Sequence, residues 1–152
     1  MRSQSGIIIL LLASVCFLVS PALSYPDAAV FAYNRGLALN AAGNYSEAIE
    51  SFDQAVSLDP LYFEAWNDKA DALNRNKQYS EALQASDRTL ALNPDYVRGW
   101  INRGYILYNL GRYDEELQAY EQAVRIDPES ADAWFNKGYA LGGMGKWDEA
   151  LR

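Results

Sequence analysis

The strongest constraint on this sequence is a repeat with a period of 34 residues. Tryptophan, proline and a small residue each recur at this step. The positions are Trp66, Trp100 and Trp134, then Pro60, Pro94 and Pro128, then Gly36, Ala70, Gly104 and Gly138. A repeat of this length indicates an array in which each unit is one supersecondary motif that cannot bury its apolar face alone. The units are therefore predicted to stack.

Within each unit, apolar residues follow helical spacing. In the third unit, Trp100, Gly104 and Leu107 share one face of a first helix, and Leu117 and Tyr120 share one face of a second. Gly or Asn ends the first helix, and the motifs LDP, LNP and IDP end the second. This pattern predicts helices near 28–42, 46–58, 62–76, 80–92, 96–110, 114–126 and 130–144. It also predicts Ser46, Ser80, Asp114 and Asp148 as N-caps.

The order of Trp, a small residue, Leu, Ala, an aromatic residue, Ala and Pro over 34 positions resembles the tetratricopeptide repeat. The resemblance covers Ala29 to Arg152. It implies an all-α fold, a right-handed α-α superhelix of antiparallel helical hairpins. The implied repeats are 29–62, 63–96, 97–130 and an incomplete 131–152. Because the fourth repeat has only "WDEALR" of its second helix, we expect the sequence to be a piece of a longer array.

Several side chains carry expectations about packing between units. The three tryptophans of the repeat are predicted to be buried between hairpins. Ser86 replaces a large aromatic residue and Glu116 replaces a small alanine, so looser packing is expected near both. A basic residue recurs before the small position. We expect it to pair with an acid of the preceding unit, in the pairs Asp53 with Lys69, Asp87 with Arg103 and Glu121 with Lys137.

The first 24 residues have a different composition. An apolar run occupies residues 7–19 and is shorter than the roughly 20 residues that span a bilayer. Small residues follow it, so residues 1–24 are predicted to be a signal peptide cleaved between Ser24 and Tyr25. The protein would then be secreted or extracytoplasmic. The alternative is an uncleaved membrane anchor formed by residues 7–19.

The composition excludes several kinds of site. The single cysteine, Cys16, lies in the apolar run, and the chain has no histidine. Disulfides, thiol catalysis, histidine general bases and ordinary zinc ligation are therefore excluded from the mature chain. The net charge of −7 argues against nucleic acid as a partner. No cofactor is expected.

The family resemblance implies a concave groove lined by the first helices, where a peptide or a helix of a partner protein binds. The residues implied for this groove are Tyr33, Asn34, Leu37, Glu64, Asp68, Asp71, Arg98, Asn102, Tyr105, Tyr108, Phe135, Asn136 and Tyr139. Some family members clamp a carboxylate terminus with Lys and Asn at these places. Here Tyr33, Leu37 and Asp68 stand there instead, so that clamp is not expected.

The predicted function is a non-catalytic scaffold for protein–protein interaction. An aromatic groove with an acidic ridge favours a partner segment with apolar and basic residues. One alternative is a membrane-anchored assembly or adaptor subunit. Another is an enzyme or metal-binding protein that uses Glu64, Asp68 and Asp71, which share one helical face. RNA binding, as in related helical repeats, conflicts with the acidic charge balance.

Overall fold

The computed structural model describes residues 25–150, and this part of the chain is helical with no β-strand. The predicted signal peptide or anchor, residues 1–24, lies outside the described residues. The helices are α1 (Tyr25–Ala41), α2 (Tyr45–Leu58), α3 (Phe63–Arg75), α4 (Tyr79–Leu92), α5 (Val97–Asn109), α6 (Tyr113–Ile126), α7 (Ala131–Gly143) and α8 (Trp147–Ala150). The predicted spans agree with these bounds to within one residue, except that α1 begins three residues earlier than position 28.

The helices form a right-handed superhelix of antiparallel hairpins. The hairpins are α1–α2, α3–α4, α5–α6 and the shorter α7–α8, and the second helix of each hairpin packs on the first helix of the next. The first helices α1, α3, α5 and α7 also contact one another in that order. They therefore form one continuous inner face, as the sequence predicts for the groove.

The turns inside the hairpins explain why the N-cap prediction is wrong. α1 ends with Gly43 in the left-handed region at φ 81°, and the amide of Asn44 donates to the Leu39 carbonyl at 2.9 Å. This Schellman arrangement leaves one residue before the next helix. α2 therefore begins at Tyr45, and Asn44 is its N-cap without a side-chain hydrogen bond, so Ser46 lies inside the helix.

Two glycines allow the helices of a hairpin to approach closely. A Cβ placed on Gly36 would lie 2.6 Å from the Phe52 ring, and one on Gly104 would lie 2.3 Å from the Tyr120 ring. In the second hairpin the equivalent residues are Ala70 and Ser86, and both are buried. Where the second hairpin has alanine in place of glycine on its first helix, it thus has the small Ser86 in place of an aromatic ring on its second helix. The Ser86 hydroxyl has no hydrogen-bond partner in the described structure.

The three repeat tryptophans share one hydrogen bond but differ in burial. Each indole donates to the carbonyl of the proline six residues earlier, at 3.1 Å for Trp66 and 2.8 Å for Trp100 and Trp134. Trp66 and Trp100 are half-buried, whereas Trp134 is 46% exposed, so the prediction that Trp134 is buried is wrong. Trp66 packs on residues of α4.

The predicted ion pairs between hairpins are confirmed. Lys69 Nζ lies 2.5 Å from Asp53 Oδ1, Lys137 Nζ lies 3.4 Å from Glu121 Oε1, and Arg103 contacts Asp87. The acidic members of these pairs are about half exposed to solvent, so each pair contributes only about 0–1 kcal/mol. The packing of each first helix against the preceding second helix therefore depends mainly on apolar contacts, such as those of Ala55 and Val56 with Ala65.

Candidate functional site

The inner face of α1, α3, α5 and α7 carries the residues predicted to line the groove, but they differ in accessibility. The exposed ones are Asn34, Arg98, Tyr105, Tyr108, Phe135 and Tyr139. The half-buried ones are Tyr33, Leu37, Glu64, Asp71 and Asn102. Asp68 and Asn136 are buried, so neither presents a free surface to a ligand. We use "inner face" below for the exposed and half-buried members of this set.

Asp68 is the centre of a polar network that ties three first helices together. Its carboxylate accepts hydrogen bonds from the Tyr33 hydroxyl at 2.7 Å, Asn67 Nδ2 at 3.0 Å and Arg98 Nη2 at 2.8 Å. Asn102 Nδ2 donates to Asn67 Oδ1 at 2.9 Å. Burial, followed by the hydrogen bond to Asp68, raises the pKa of the Tyr33 phenol. Asp68 thus has a structural role between helices.

Asp71 is also paired within the protein. It accepts from Arg75 Nε at 2.8 Å, one turn along α3, and from Asn40 Nδ2 of α1 at 3.0 Å. With Asp68 and Asp71 both paired to arginines, the predicted acidic ridge is not a row of free negative charge. The ridge therefore gives little support to a basic partner segment, which stays a prediction.

The asparagines predicted to bind a ligand backbone are only partly available. Asn136 accepts from the Tyr105 hydroxyl at 2.8 Å and donates to the Asp132 carbonyl at 2.8 Å. Asn102 donates a hydrogen bond from Nδ2 to Asn67, so its Oδ1 is the atom left to accept one from a ligand. Asn34 is exposed. The inner face therefore offers fewer backbone-binding groups than the sequence predicts.

Exposed aromatic side chains are concentrated on α5 and α7. Tyr105 and Tyr108 are each 45% exposed, Tyr139 is 62% exposed and Phe135 is 72% exposed. Earlier in the array, Tyr33 packs on the Tyr62 ring at 4.9 Å, and Leu37 packs in the apolar cluster with Phe52. On the inner face, the aromatic and apolar side chains of α1 are thus half-buried, while those of α5 and α7 are exposed.

A cavity of about 540 Å³ opens beside these aromatic residues, between α5, α6 and α7. Its lining includes Tyr108, Tyr113, Glu116, Tyr139 and Trp147. Glu116 is only 3% exposed. The sequence showed Glu116 only as a departure from the small residue of the repeat, and the cavity was not predicted. A carboxylate at a position that is alanine in Ala48 and Ala82 is the signal that could have located it.

Burial raises the pKa of Glu116 to about 6. A raised pKa means that the folded protein holds this proton more tightly than the unfolded chain. The stability from Glu116 is thus fully present below its ordinary pKa of 4.5 and is lost as the pH rises through about 6. At neutral pH the charged carboxylate therefore opposes folding.

Metal-ion ligands and membrane-spanning helices were searched for in residues 25–150, whereas the alternative membrane anchor at residues 7–19 lies outside the described residues. Within this range no group of three or more acidic, His or Cys side chains could hold a metal ion. The helices between Tyr25 and Ala150 include none with the length and apolar character that crossing a bilayer requires. The carboxylates considered for catalysis are the half-buried Glu64 and the two paired aspartates, Asp68 and Asp71.

Three family models described as "Tetratricopeptide repeat" match the sequence. One matches residues 69–133, a second matches 22–62 and 33–96, and a third matches 119–152. No curated protein matches the sequence.

Solved structures of the same architecture are similar to the chain. The first TPR domain of Spaghetti (RPAP3), bound to the HSP90 peptide SRMEEVD, has a TM-score of 0.74 and 22% identity over 79% of this chain and 95% of that one. The second TPR domain of human RPAP3, in complex with the HSP70 peptide SGPTIEEVD, has a TM-score of 0.70 and 22% identity over 74% and 94%. At this identity, the likeness shows the fold alone.

A bacterial protein shows slightly higher identity. MamA of Desulfovibrio magneticus RS-1 has a TM-score of 0.74 and 26% identity over 81% of this chain and 70% of that one.

Proposed function

Since the chain belongs to the tetratricopeptide repeat family, a class of protein-interaction scaffold, we propose that it is a non-catalytic scaffold that binds an extended segment of a partner protein along its inner face. The observation that carries this proposal is the strip of exposed aromatic side chains on α5 and α7. Such side chains supply most of the binding free energy in interfaces of this kind. The carboxyl-terminal half of the inner face is therefore the proposed binding surface.

The RPAP3 domains described above bind peptides, which supports a peptide partner here. Both of those peptides end in the acidic sequence EEVD. An acidic terminus suits this chain poorly, because the Glu116 carboxylate lies beside Tyr108 of the inner face. The chain also carries a net charge of −7. We therefore propose a partner segment with apolar anchors and without an acidic terminus.

Replacing Tyr105 by alanine is expected to weaken the bound segment by about 1–3 kcal/mol, which corresponds to a roughly 5- to 150-fold rise in Kd. The partner is first selected from a displayed random peptide library on the purified protein, and its Kd is measured by titration calorimetry. Tyr105→Phe keeps the ring but removes the hydroxyl group that donates to Asn136. It therefore separates the effect of ring contact on Kd from the effect of this hydrogen bond. Leu61→Ala is the control, because Leu61 is 69% exposed in the α2–α3 loop, away from the inner face.

A selected peptide whose Kd is unchanged by Tyr105→Ala and also by Tyr139→Ala contradicts this placement. The binding surface would then lie on the convex face formed by the second helices or beyond α8.

We also propose that the protein acts outside the cytoplasm. The support is the apolar run at residues 7–19 followed by small residues up to Ser24. Intact-mass analysis of the protein from its native cells is expected to show a chain that begins at Tyr25. A mass that includes Met1 contradicts cleavage and favours the alternative, an assembly or adaptor subunit held in the membrane by residues 7–19.

A further inference from the structure

The turn between α1 and α2 leads into the one Asn-X-Ser/Thr triplet of the sequence, Asn44-Tyr45-Ser46. In proteins that leave the cytoplasm, this triplet is the acceptor of N-linked glycans, and an occupied acceptor lies in a surface loop. So short a triplet also arises by chance. Its significance therefore depends on how the fold presents these residues.

Both polar residues of the triplet are exposed to solvent. Asn44 is exposed just before α2, and Ser46 is exposed in the first turn of that helix. Ala42 and Gly43 beside Asn44 are also exposed, and nothing lies within 4 Å of where a Cβ on Gly43 would be. A saccharide on Asn44 Nδ2 therefore has room to leave the surface without disturbing the packing of the hairpin.

Folding does not explain why Asn44 and Ser46 stand here. An asparagine before a helix normally accepts a hydrogen bond from an amide of the first turn, but the Asn44 side chain makes no such bond. Other serines of the array are used in this way or a similar one. The Ser130 side chain accepts from the Ala133 amide at the start of α7, and the Ser51 hydroxyl donates to the Glu47 carbonyl.

The equivalent turns of the other hairpins show what is particular to the first. The residues at the position of Asn44 are Gln78, Arg112 and Lys146. The backbone is nearly the same at Asn44, Gln78 and Arg112, with φ of −84°, −91° and −94° and ψ of 64°, 63° and 62°.

The first turn also differs from the others in charge. Residues 36–46 include no charged side chain. Each later turn has a basic residue at the position of Asn44 or directly before it, and these are Lys77, Arg112 and Lys146. A glycan is bulky and strongly hydrated, so it would solvate the first turn as the cations solvate the others.

We propose that Asn44 carries an N-linked glycan. The proposal rests on the proposed location outside the cytoplasm, and its saccharide donor is a lipid-linked sugar phosphate of the cell membrane. A bond forms between Asn44 Nδ2 and the anomeric carbon of the saccharide, and the bond from that carbon to the phosphate oxygen breaks. The phosphate oxygen keeps the electron pair, and Nδ2 loses one proton to solvent. The exposed aromatic side chains proposed to bind a partner lie on α5 and α7, in later hairpins.

The first measurement uses the protein purified from its native cells. Trypsin releases residues 36–69 as one peptide, and tandem mass spectrometry identifies the asparagine that carries a sugar. We expect most copies of this peptide to carry a glycan at Asn44. The N-terminal peptide of the same sample shows whether the chain begins at Tyr25.

Three variants expressed in the same cells separate the triplet from its surroundings. Ser46→Ala should abolish the glycan although Asn44 remains, and Ser46→Thr should retain it. Gln78→Asn is the matched variant that gains a site, since it creates Asn-Tyr-Ser before α4 on nearly the same backbone. It should add a second glycan, at position 78. Circular dichroism checks folding, which all three should preserve because Ser46 and Gln78 are exposed.

An unmodified Asn44 overturns the proposal. If that chain begins at Tyr25, the proposed location stands and the glycan alone is rejected, whereas retention of Met1 contradicts the cleavage as well. A sugar that persists in Ser46→Ala also overturns the proposal, and so does one that appears in Gln78→Asn at position 78 but not at Asn44. A glycan at Asn44 of a chain that retains Met1 supports the site and contradicts the cleavage alone.

Discussion

Replacing Phe52 by alanine is expected to lower the free energy of unfolding by about 3–5 kcal/mol, which urea denaturation followed by circular dichroism would measure. The Phe52 ring is completely buried where α1, α2 and α3 meet, in one cluster with Ala48 and Ala72. It also covers Gly36, where an added Cβ would lie 2.6 Å from the ring. Truncation leaves a cavity that the backbone of the hairpin cannot close.

The Gly36 contact provides an internal check on this explanation. Gly36→Ala alone should cost about 1–3 kcal/mol because its methyl group overlaps the ring. In the Phe52→Ala background that cost should disappear, since the two changes are coupled through one contact. Gly143→Ala is the control and should be neutral or stabilising by up to about 1 kcal/mol, because Gly143 is exposed in the last turn of α7 and nothing lies within 4 Å of its Cβ position. Additive costs of the first two changes would contradict the packing argument.

Replacing Asp68 by alanine is expected to cost about 2–4 kcal/mol of stability, again measured by urea denaturation. Its carboxylate accepts hydrogen bonds from Tyr33, Asn67 and Arg98, and bonds to a charged group contribute about 1.5–3 kcal/mol each. The total is smaller than their sum, because the Arg98 side chain is 61% exposed and stays hydrated without its partner.

Asp53→Ala is the matched control for Asp68→Ala. Asp53 also pairs with a cation of the next hairpin, but its side chain is 51% exposed, so its loss should cost less than about 1 kcal/mol. Equal losses for the two variants would show that burial of the Asp68 network does not matter.

The sequence predicts the helices and the ion pairs between hairpins because both depend on short, regular spacing. The pair of Asp53 with Lys69, for example, repeats in Asp87 with Arg103 after 34 residues. The N-caps were predicted wrongly, since the left-handed residue Gly43 sets where α2 begins and Ser46 plays no part in it. The spacing of polar residues near a turn does not reveal that geometry.

The chemistry of the inner face was predicted less well, because it depends on how neighbouring helices are rotated. Asp68 is neutralised by Arg98, which lies 30 residues further along the chain. From sequence alone, a carboxylate on the groove side of α3 is indistinguishable from a free charge. The sequence predicts looser packing at Glu116, but not the cavity that its side chain lines.

The polar ties across the inner face also determine how the superhelix can bend. α1, α3 and α5 are joined by the network around Asp68 and by the bond from Asn109 to Asn74, at 2.9 Å. Between α5 and α7, the Tyr105 hydroxyl donates to Asn136, and Tyr108 and Tyr139 also share a side-chain hydrogen bond. The junctions of α3 with α1 and with α5 share one buried carboxylate, that of Asp68. A change in the angle between α1 and α3 is therefore expected to alter the angle between α3 and α5 as well.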